Sequence, residues 1–143
     1  MEGYEFTVSL RIRHPGIDPD DITSALNLRP QHTWKAGTPR RGPGGESLEG
    51  TYRESYWMAR LMDSPQMSSA SLSVERILLQ TLAHLRRSQP FLAALKSEGG
   101  EVDLHVSIFG RRNFTLELSA DALAMLARLG LSVSFDVNLP RAA

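Results

Sequence analysis

The side chains best suited to chemistry lie in residues 29–57, a basic segment rich in glycine and proline with aromatic residues near both ends. Between residues 29 and 46, four basic residues stand against one acidic residue. Arginine and lysine form charge-assisted hydrogen bonds with phosphate or carboxylate groups, and aromatic rings offer stacking surfaces. The segment therefore predicts a surface that recognises an anionic ligand or a protein partner. We assign to it Arg29, Trp34, Lys35, Arg40, Arg41 and Trp57.

Two other interpretations of this segment stay open. Arginines interleaved with aromatic residues also occur in proteins that bind single-stranded nucleic acid. Against that alternative, the whole chain carries 16 basic and 16 acidic residues, so it has no net field that attracts a polyanion. The second interpretation is structural, with Trp34 and Trp57 simply pinning a loop to a sheet.

Histidine is the residue type that could support catalysis, and the chain has four of them. None shows the spacing of a helical metal site, and the chain contains no G-x-S-x-G motif for a serine nucleophile. A small hydrolase-like enzyme that uses His32 or His105 as general base is the weakest alternative. We therefore lean against an enzyme and expect neither catalytic residues nor a metal or other cofactor.

Length and composition favour one soluble domain over residues 1–143. The chain lacks cysteine, which excludes disulfides and thiolate metal sites. Its first residues contain no apolar signal core, and no apolar run approaches the ~20 residues that span a bilayer. From these observations we expect a cytoplasmic protein.

The hydrophobic pattern predicts the order β-α-β-α-α-β-β-α-β. Residues 4–13 and 101–109 alternate between apolar and polar side chains, as strands with one wet face do. Asp18 followed by Pro19 marks a helix start, and Ser119 caps a later helix that ends at Gly130. Residues 51–62 and 131–138 also read as strands, and residues 72–87 as the longest helix.

This order predicts an α+β fold, a mainly antiparallel sheet with helices packed on one face. A ferredoxin-like arrangement with a helical insertion would fit it. Residues 110–113 predict a turn that joins strand 101–109 to a partner strand at 114–118 in a hairpin. Residues 29–50 read as an irregular basic loop, and residues 139–143 as a flexible tail. Strand 4–13 or strand 131–138 is the expected exposed edge of the sheet, through which a homodimer could form.

Several of these features together resemble a known family. They are Asp18-Pro19 with Ile22, the run from Leu26 through Leu28 to Pro30, Gly37, the strand residue Trp57, and Leu129-Gly130-Leu131 before the last strand. This order resembles a bacterial family described as a domain of unknown function, number 4279, over about residues 4–138. The resemblance implies a small cytoplasmic α+β domain and carries no activity to any position. By analogy alone, a domain of this kind could be an immunity-type protein that neutralises a toxin.

Overall fold

The structure, a computed structural model, describes residues 4–62, 67–68, 73–111 and 113–139. Its strands are β1 (Tyr4–His14), β2 (His32–Trp34), β3 (Pro39–Arg41), β4 (Ser47–Thr51), β5 (Ser55–Arg60), β6 (Met67–Ser68), β7 (Glu101–Gly110) and β8 (Ser132–Asn138). Its helices are α1 (Pro19–Leu26), α2 (Val74–Leu85), α3 (Gln89–Ser97) and α4 (Ala120–Leu129), with a 3-10 turn at Arg86–Ser88.

The main sheet has the strand order β2-β5-β1-β7-β8, and β6 also pairs with β1. Every pairing in it is antiparallel except that of β7 with β8, which is parallel. The predicted α+β class with a mainly antiparallel sheet is therefore confirmed. The ferredoxin-like variant is not what the sheet shows, because β7 and β8 are direct neighbours, whereas a split βαβ unit has another strand between its parallel pair.

Strand β1 is the centre of the sheet, so its prediction as an exposed edge was wrong. It pairs with β5 over Ser9–His14 and with β7 over Tyr4–Arg13. Its alternation arises because one face lies on the core: Phe6, Val8 and Leu10 are fully buried, while the residues between them are half-buried. The same core holds apolar side chains of β5, β7 and the helices, which therefore pack on one face of the sheet.

The predicted hairpin over residues 101–118 is also wrong. Both edges of β7 are occupied, one by β1 and the other by β8, so residues 114–118 have no edge of β7 to join. These residues instead connect β7 to α4, and Phe114, Leu116 and Leu118 pack half-buried against the core. The observed C-terminal order is therefore β-α-β. The apolar alternation of residues 114–118 reflects their contact with the core and not a strand.

Three strands begin within residues 29–50, which were predicted to be irregular. β2 extends the main sheet beside β5, and β3 and β4 form a separate two-stranded sheet. The tip of this hairpin is closed by hydrogen bonds from Gly42 N to Glu46 O (2.8 Å) and from Gly45 N to Gly42 O (2.9 Å). Gly45 has φ +83°, a conformation that glycine adopts at little cost. The strand predicted at residues 51–62 is also shorter than expected, because β5 comprises only Ser55–Arg60.

The helix boundaries follow the predicted capping residues. The Asp18 side chain accepts a hydrogen bond from Asp20 N at the start of α1, and that of Ser119 accepts one from Ala122 N at the start of α4. Gly130 ends α4 in the left-handed conformation, at φ 70°. The long helix predicted at 72–87 is α2, which begins after the cap Ser73.

Candidate binding face

The face of the main sheet opposite the helices carries polar and aromatic side chains. We call it the polar face, and its residues come from alternate positions of neighbouring strands. The strand register places them in cross-sheet rows, one of which runs from Trp34 through Tyr56 and Arg13 to Glu101. The next row consists of His32, Met58, Arg11, Asp103 and Ser132. The row after it consists of Arg60, Ser9, His105 and Ser134.

Three aromatic rings stack on one another at the β2 end of the polar face. Trp34 lies between Tyr52, whose ring centroid is 4.8 Å away, and Tyr56, whose centroid is 4.5 Å away. The interplanar angles of 12° and 25° are those of stacked rings. We call Tyr52, Trp34 and Tyr56 the aromatic column. The guanidinium carbon of Arg13 lies 5.8 Å from the Tyr56 ring centroid, so a cation stands at the end of the column.

The column is joined to the base of the β3–β4 hairpin through Tyr52. Tyr52 N donates to Thr38 O (3.0 Å), and Tyr52 O accepts from Gly37 N (2.9 Å). Its hydroxyl accepts a hydrogen bond from Arg41 N (3.2 Å). These bonds tie the position of the hairpin to the ring stack on the sheet.

A hydrogen-bonded network occupies the middle of the polar face. Arg11 binds Asp103 at two points, with Nε to Oδ1 at 3.0 Å and Nη2 to Oδ2 at 2.8 Å. Ser134 donates its hydroxyl proton to Asp103 Oδ2 at 3.0 Å. Because the Ser134 hydroxyl proton is used in this way, the Ser134 oxygen accepts a hydrogen bond from His105 Nδ1 (3.2 Å). The other ring nitrogen, His105 Nε2, then accepts a hydrogen bond from the Ser107 hydroxyl (3.4 Å). The network thus favours the Nδ1–H tautomer of His105.

Electrostatics in this network shift two pKa values downward. Burial alone raises the pKa of Asp103, but hydrogen bonds from Arg11 and Ser134, together with the Arg11 charge, outweigh burial and lower it. Burial lowers the pKa of His105, and the Arg11 charge lowers it further, against smaller opposing effects of Asp103 and Asp136. The ionised carboxylate and the neutral imidazole are therefore the favoured forms.

A cleft of about 350 Å³ opens where β1 ends and β7 and β8 begin. Its lining includes the basic side chains of Arg13 and Lys96 and the acidic side chains of Glu101 and Asp103. The Lys96 side chain passes close to Gly130, where an added Cβ would lie 2.9 Å from Lys96 Nζ. Arg13 belongs both to this cleft and to the end of the aromatic column, so the two form one continuous surface.

Comparison with known proteins identifies the family. Residues 4–140 match the domain of unknown function DUF4279. The chain belongs to this family. No curated protein and no solved structure matches it significantly.

The residues that the sequence assigned to a binding surface are divided between two faces of this DUF4279 domain. Trp34 lies in the aromatic column on the polar face. Trp57 is buried on the helix side of the sheet, where its Nε1–H donates to Thr23 Oγ1 at 3.0 Å. Its position in the core agrees with the structural interpretation of that residue, and we leave Trp57 out of the candidate face.

The basic residues of the predicted surface are exposed but do not converge on one point. The Nη1 atoms of Arg40 and Arg41 donate to backbone carbonyls of their own hairpin, at Glu49 O (3.4 Å) and Gly45 O (3.2 Å). Lys35 Nζ lies 3.9 Å from Asp18 Oδ2. Arg29 is exposed just before β2. Because carbonyl acceptors are neutral, the hairpin arginines keep their positive charge for a partner.

The two histidines proposed as catalytic do not share a site in this DUF4279 domain. His32 is on β2 and His105 is on β7, three strand spacings apart, or roughly 14 Å. A different histidine contacts a carboxylate: Nε2 of His14 lies 2.8 Å from Glu98 Oε1. Its Nδ1 accepts from the backbone N–H groups of Gly16 and Ile17, so this buried imidazole organises the turn after β1.

Arg11, Arg13 and Asp103 lie on the polar face, although no motif in the sequence marks them as a site. The signal was the polar alternation of residues 4–13 and 101–109, which predicts one wet face without saying which strands lie side by side. Within the described ranges, no group of three or more His, Asp or Glu side chains is arranged to hold a metal ion. Within the same ranges, no helix of this DUF4279 domain is both long and apolar enough to cross a membrane.

Proposed function

We propose that this DUF4279 domain is a binding module whose polar face recognises an acidic segment of a partner protein. The observation that carries the proposal is the aromatic column with Arg13 at its end. Stacked rings provide a flat contact surface, and the guanidinium group provides a charge-assisted hydrogen bond to a carboxylate. Arginine and aromatic residues are also the types that contribute most to binding at protein interfaces.

The charges around the column support an anionic rather than a cationic partner. Arg13 lies at the end of the column, and Arg40 and Arg41 extend along the hairpin attached to it. The ion pair of Arg13 is weak: Glu54 Oε1 lies 3.8 Å from Arg13 Nε, and the Glu54 side chain is 52% exposed. A carboxylate of the partner can displace such a weak ion pair at little cost.

The test is a selection of random displayed peptides on the immobilised domain, followed by affinity measurements on the peptides that are enriched. We expect enrichment of acidic peptides. Arg13→Ala should weaken their binding by about tenfold or more, because a hydrogen bond to a charged group contributes about 1.5–3 kcal/mol. The matched control is Arg87→Ala, which removes an exposed arginine on the helix side. Enrichment of basic or uncharged peptides, or equal losses in both variants, would contradict the proposal.

Single-stranded nucleic acid is the second candidate partner, because successive bases also stack on aromatic side chains beside arginine. The discriminating measurement is a salt titration with a single-stranded oligonucleotide. Affinity for nucleic acid falls steeply as salt rises from low to physiological concentrations. Detectable oligonucleotide binding that depends on Trp34 and shows this steep loss would favour the nucleic acid over the acidic peptide. Its failure even at low salt would remove this candidate.

A further inference from the structure

Strand β8 ends the main sheet with a long edge. It pairs with β7 from Ser132 to Asn138 through the groups on one of its sides. Within the described residues, its other side has no strand beside it, so a row of backbone N–H and C=O groups is available there. The opposite end of the sheet is β2, which is only three residues long. Short edge strands are a common protection against pairing, and β8 has seven residues.

The side chains of β8 suit a partner strand rather than solvent. Those on the helix side are Val133, Phe135 and Val137, and the last two are 43% and 52% exposed. Exposed edges of soluble proteins are normally protected by lysine, proline or a bulge. The range 132–138 contains neither lysine nor proline, and its pairing with β7 runs without a register shift.

The pattern of β8 is complementary to itself in antiparallel orientation. Pairing two copies about Phe135 uses all seven residues and places Val133 opposite the partner's Val137 and Phe135 opposite the partner's Phe135. On the polar face, the same register places Ser134 opposite the partner's Asp136, so no like charges meet. A shift that centres the pair on Asp136 would place two carboxylates opposite each other, which is destabilising.

We propose that β8 pairs with β8 of a second copy of this chain, in an antiparallel register centred on Phe135. Because residues directly opposite each other project to the same side, the two sheets become continuous and their helices lie on one side. The two polar faces then also lie side by side. The dimer carries one aromatic column at each end of the joined sheet. Resting on the proposed function, this arrangement raises avidity for a partner that carries two acidic segments far enough apart to reach both columns.

Sedimentation of the full chain over a range of concentrations tests the proposal. We expect a monomer–dimer equilibrium in the wild type. Phe135→Lys and Phe135→Glu, each alone, should weaken the dimer by tenfold or more, because like charges then lie directly opposite each other at the centre of the register. An equimolar mixture of the two variants should restore it, because the opposite charges then meet at the centre of the register. Circular dichroism identifies any variant that fails to fold.

A cross-linking experiment on the cysteine-free chain provides a second test, which detects the dimer directly and does not depend on variants that weaken it. Phe135→Cys should form a disulfide-linked dimer under mild oxidation, because its Cβ lies within about 5.5 Å of its counterpart in the proposed register. Leu48→Cys, on the exposed β4 strand, is the control and should cross-link more slowly. A wild type that stays monomeric at all concentrations, a mixture that fails to dimerise, or equal cross-linking at positions 135 and 48 would overturn the proposal.

Discussion

Trp34 and Tyr56 lie directly opposite each other in neighbouring strands, with their ring centroids 4.5 Å apart. Because the register of β2 and β5 sets this contact, the rings are held by backbone pairing as well as by stacking. Tyr52 then adds to the other side of Trp34 and bonds to the base of the hairpin. The result is a rigid aromatic surface, and rigid aromatic side chains lose little entropy when a partner binds.

Truncation of the column should destabilise the domain only modestly. For Trp34→Ala, we expect a loss of about 1–3 kcal/mol in the free energy of unfolding, because the half-buried ring forms two stacked pairs that contribute about 0.5–1.5 kcal/mol each. Urea denaturation measures the loss, and Leu48→Ala in the exposed β4 strand is the control. A loss near that of a core truncation would show that Trp34 acts mainly in folding and would weaken its assignment to recognition.

The second tryptophan should behave as a core residue. Trp57 is fully buried and bonds Thr23, so Trp57→Ala should cost about 3–5 kcal/mol in the free energy of unfolding. Thr23→Val removes the hydroxyl that accepts from the indole N–H and donates to Pro19 O (3.3 Å). It should cost about 1–3 kcal/mol, because the indole N–H stays buried without a partner. Denaturant midpoints give both values. Equal costs for Trp57→Ala and Trp34→Ala would contradict the assignment of the two residues to different faces.

The different positions of the two tryptophans show how far the sequence could predict the site. Both occur in one basic aromatic segment, and local patterning does not distinguish them. The distinction arises because Trp57 falls on the core-facing positions of β5, whereas Trp34 pairs with the outward-facing Tyr56. That pairing is set by the sheet register, which short apolar–polar patterns in residues 29–57 leave open.

Long-range pairing also explains the errors in the fold. The turn signal at residues 110–113 favoured a local hairpin, yet β7 pairs with β1, and Arg11 meets Asp103 across 92 residues. Caps such as Asp18 and Ser119 were predictable because each acts within one helical turn. Strand neighbours depend on the whole core, which no local signal encodes.

The Arg11–Asp103 pair should stabilise the domain in a pH-dependent way. Because the pKa of Asp103 is lowered in the folded state, its carboxylate stabilises the fold above its ordinary pKa of 3.8, and this contribution is lost as pH falls through the folded value. Asp103→Asn should therefore cost about 1.5–3 kcal/mol near neutral pH and progressively less below about pH 4. Urea denaturation across this pH range checks the trend. A difference that grows toward acid would contradict it.

His105 should produce a second pH dependence, in a higher window. Its pKa is lowered from the ordinary value of 6.5, so the neutral imidazole stabilises the fold above that value, and the contribution is lost as pH falls below it. The wild type should lose more stability than His105→Gln on acidification through this window, because the glutamine side chain at this position does not take up a proton. Thermal unfolding at a series of pH values measures the difference. Parallel profiles would show that His105 is not desolvated as the network implies.

The most direct test of the polar face as the recognition surface uses the two indole N–H signals in a nitrogen–proton correlation spectrum. The chain has two tryptophans, one in the aromatic column and one in the core. Titration with an acidic peptide from the selection should shift the Trp34 signal and leave that of Trp57 nearly unchanged. The Arg13→Ala variant should need a higher peptide concentration for the same shift. A peptide that binds while the Trp34 signal stays in place would contradict the account.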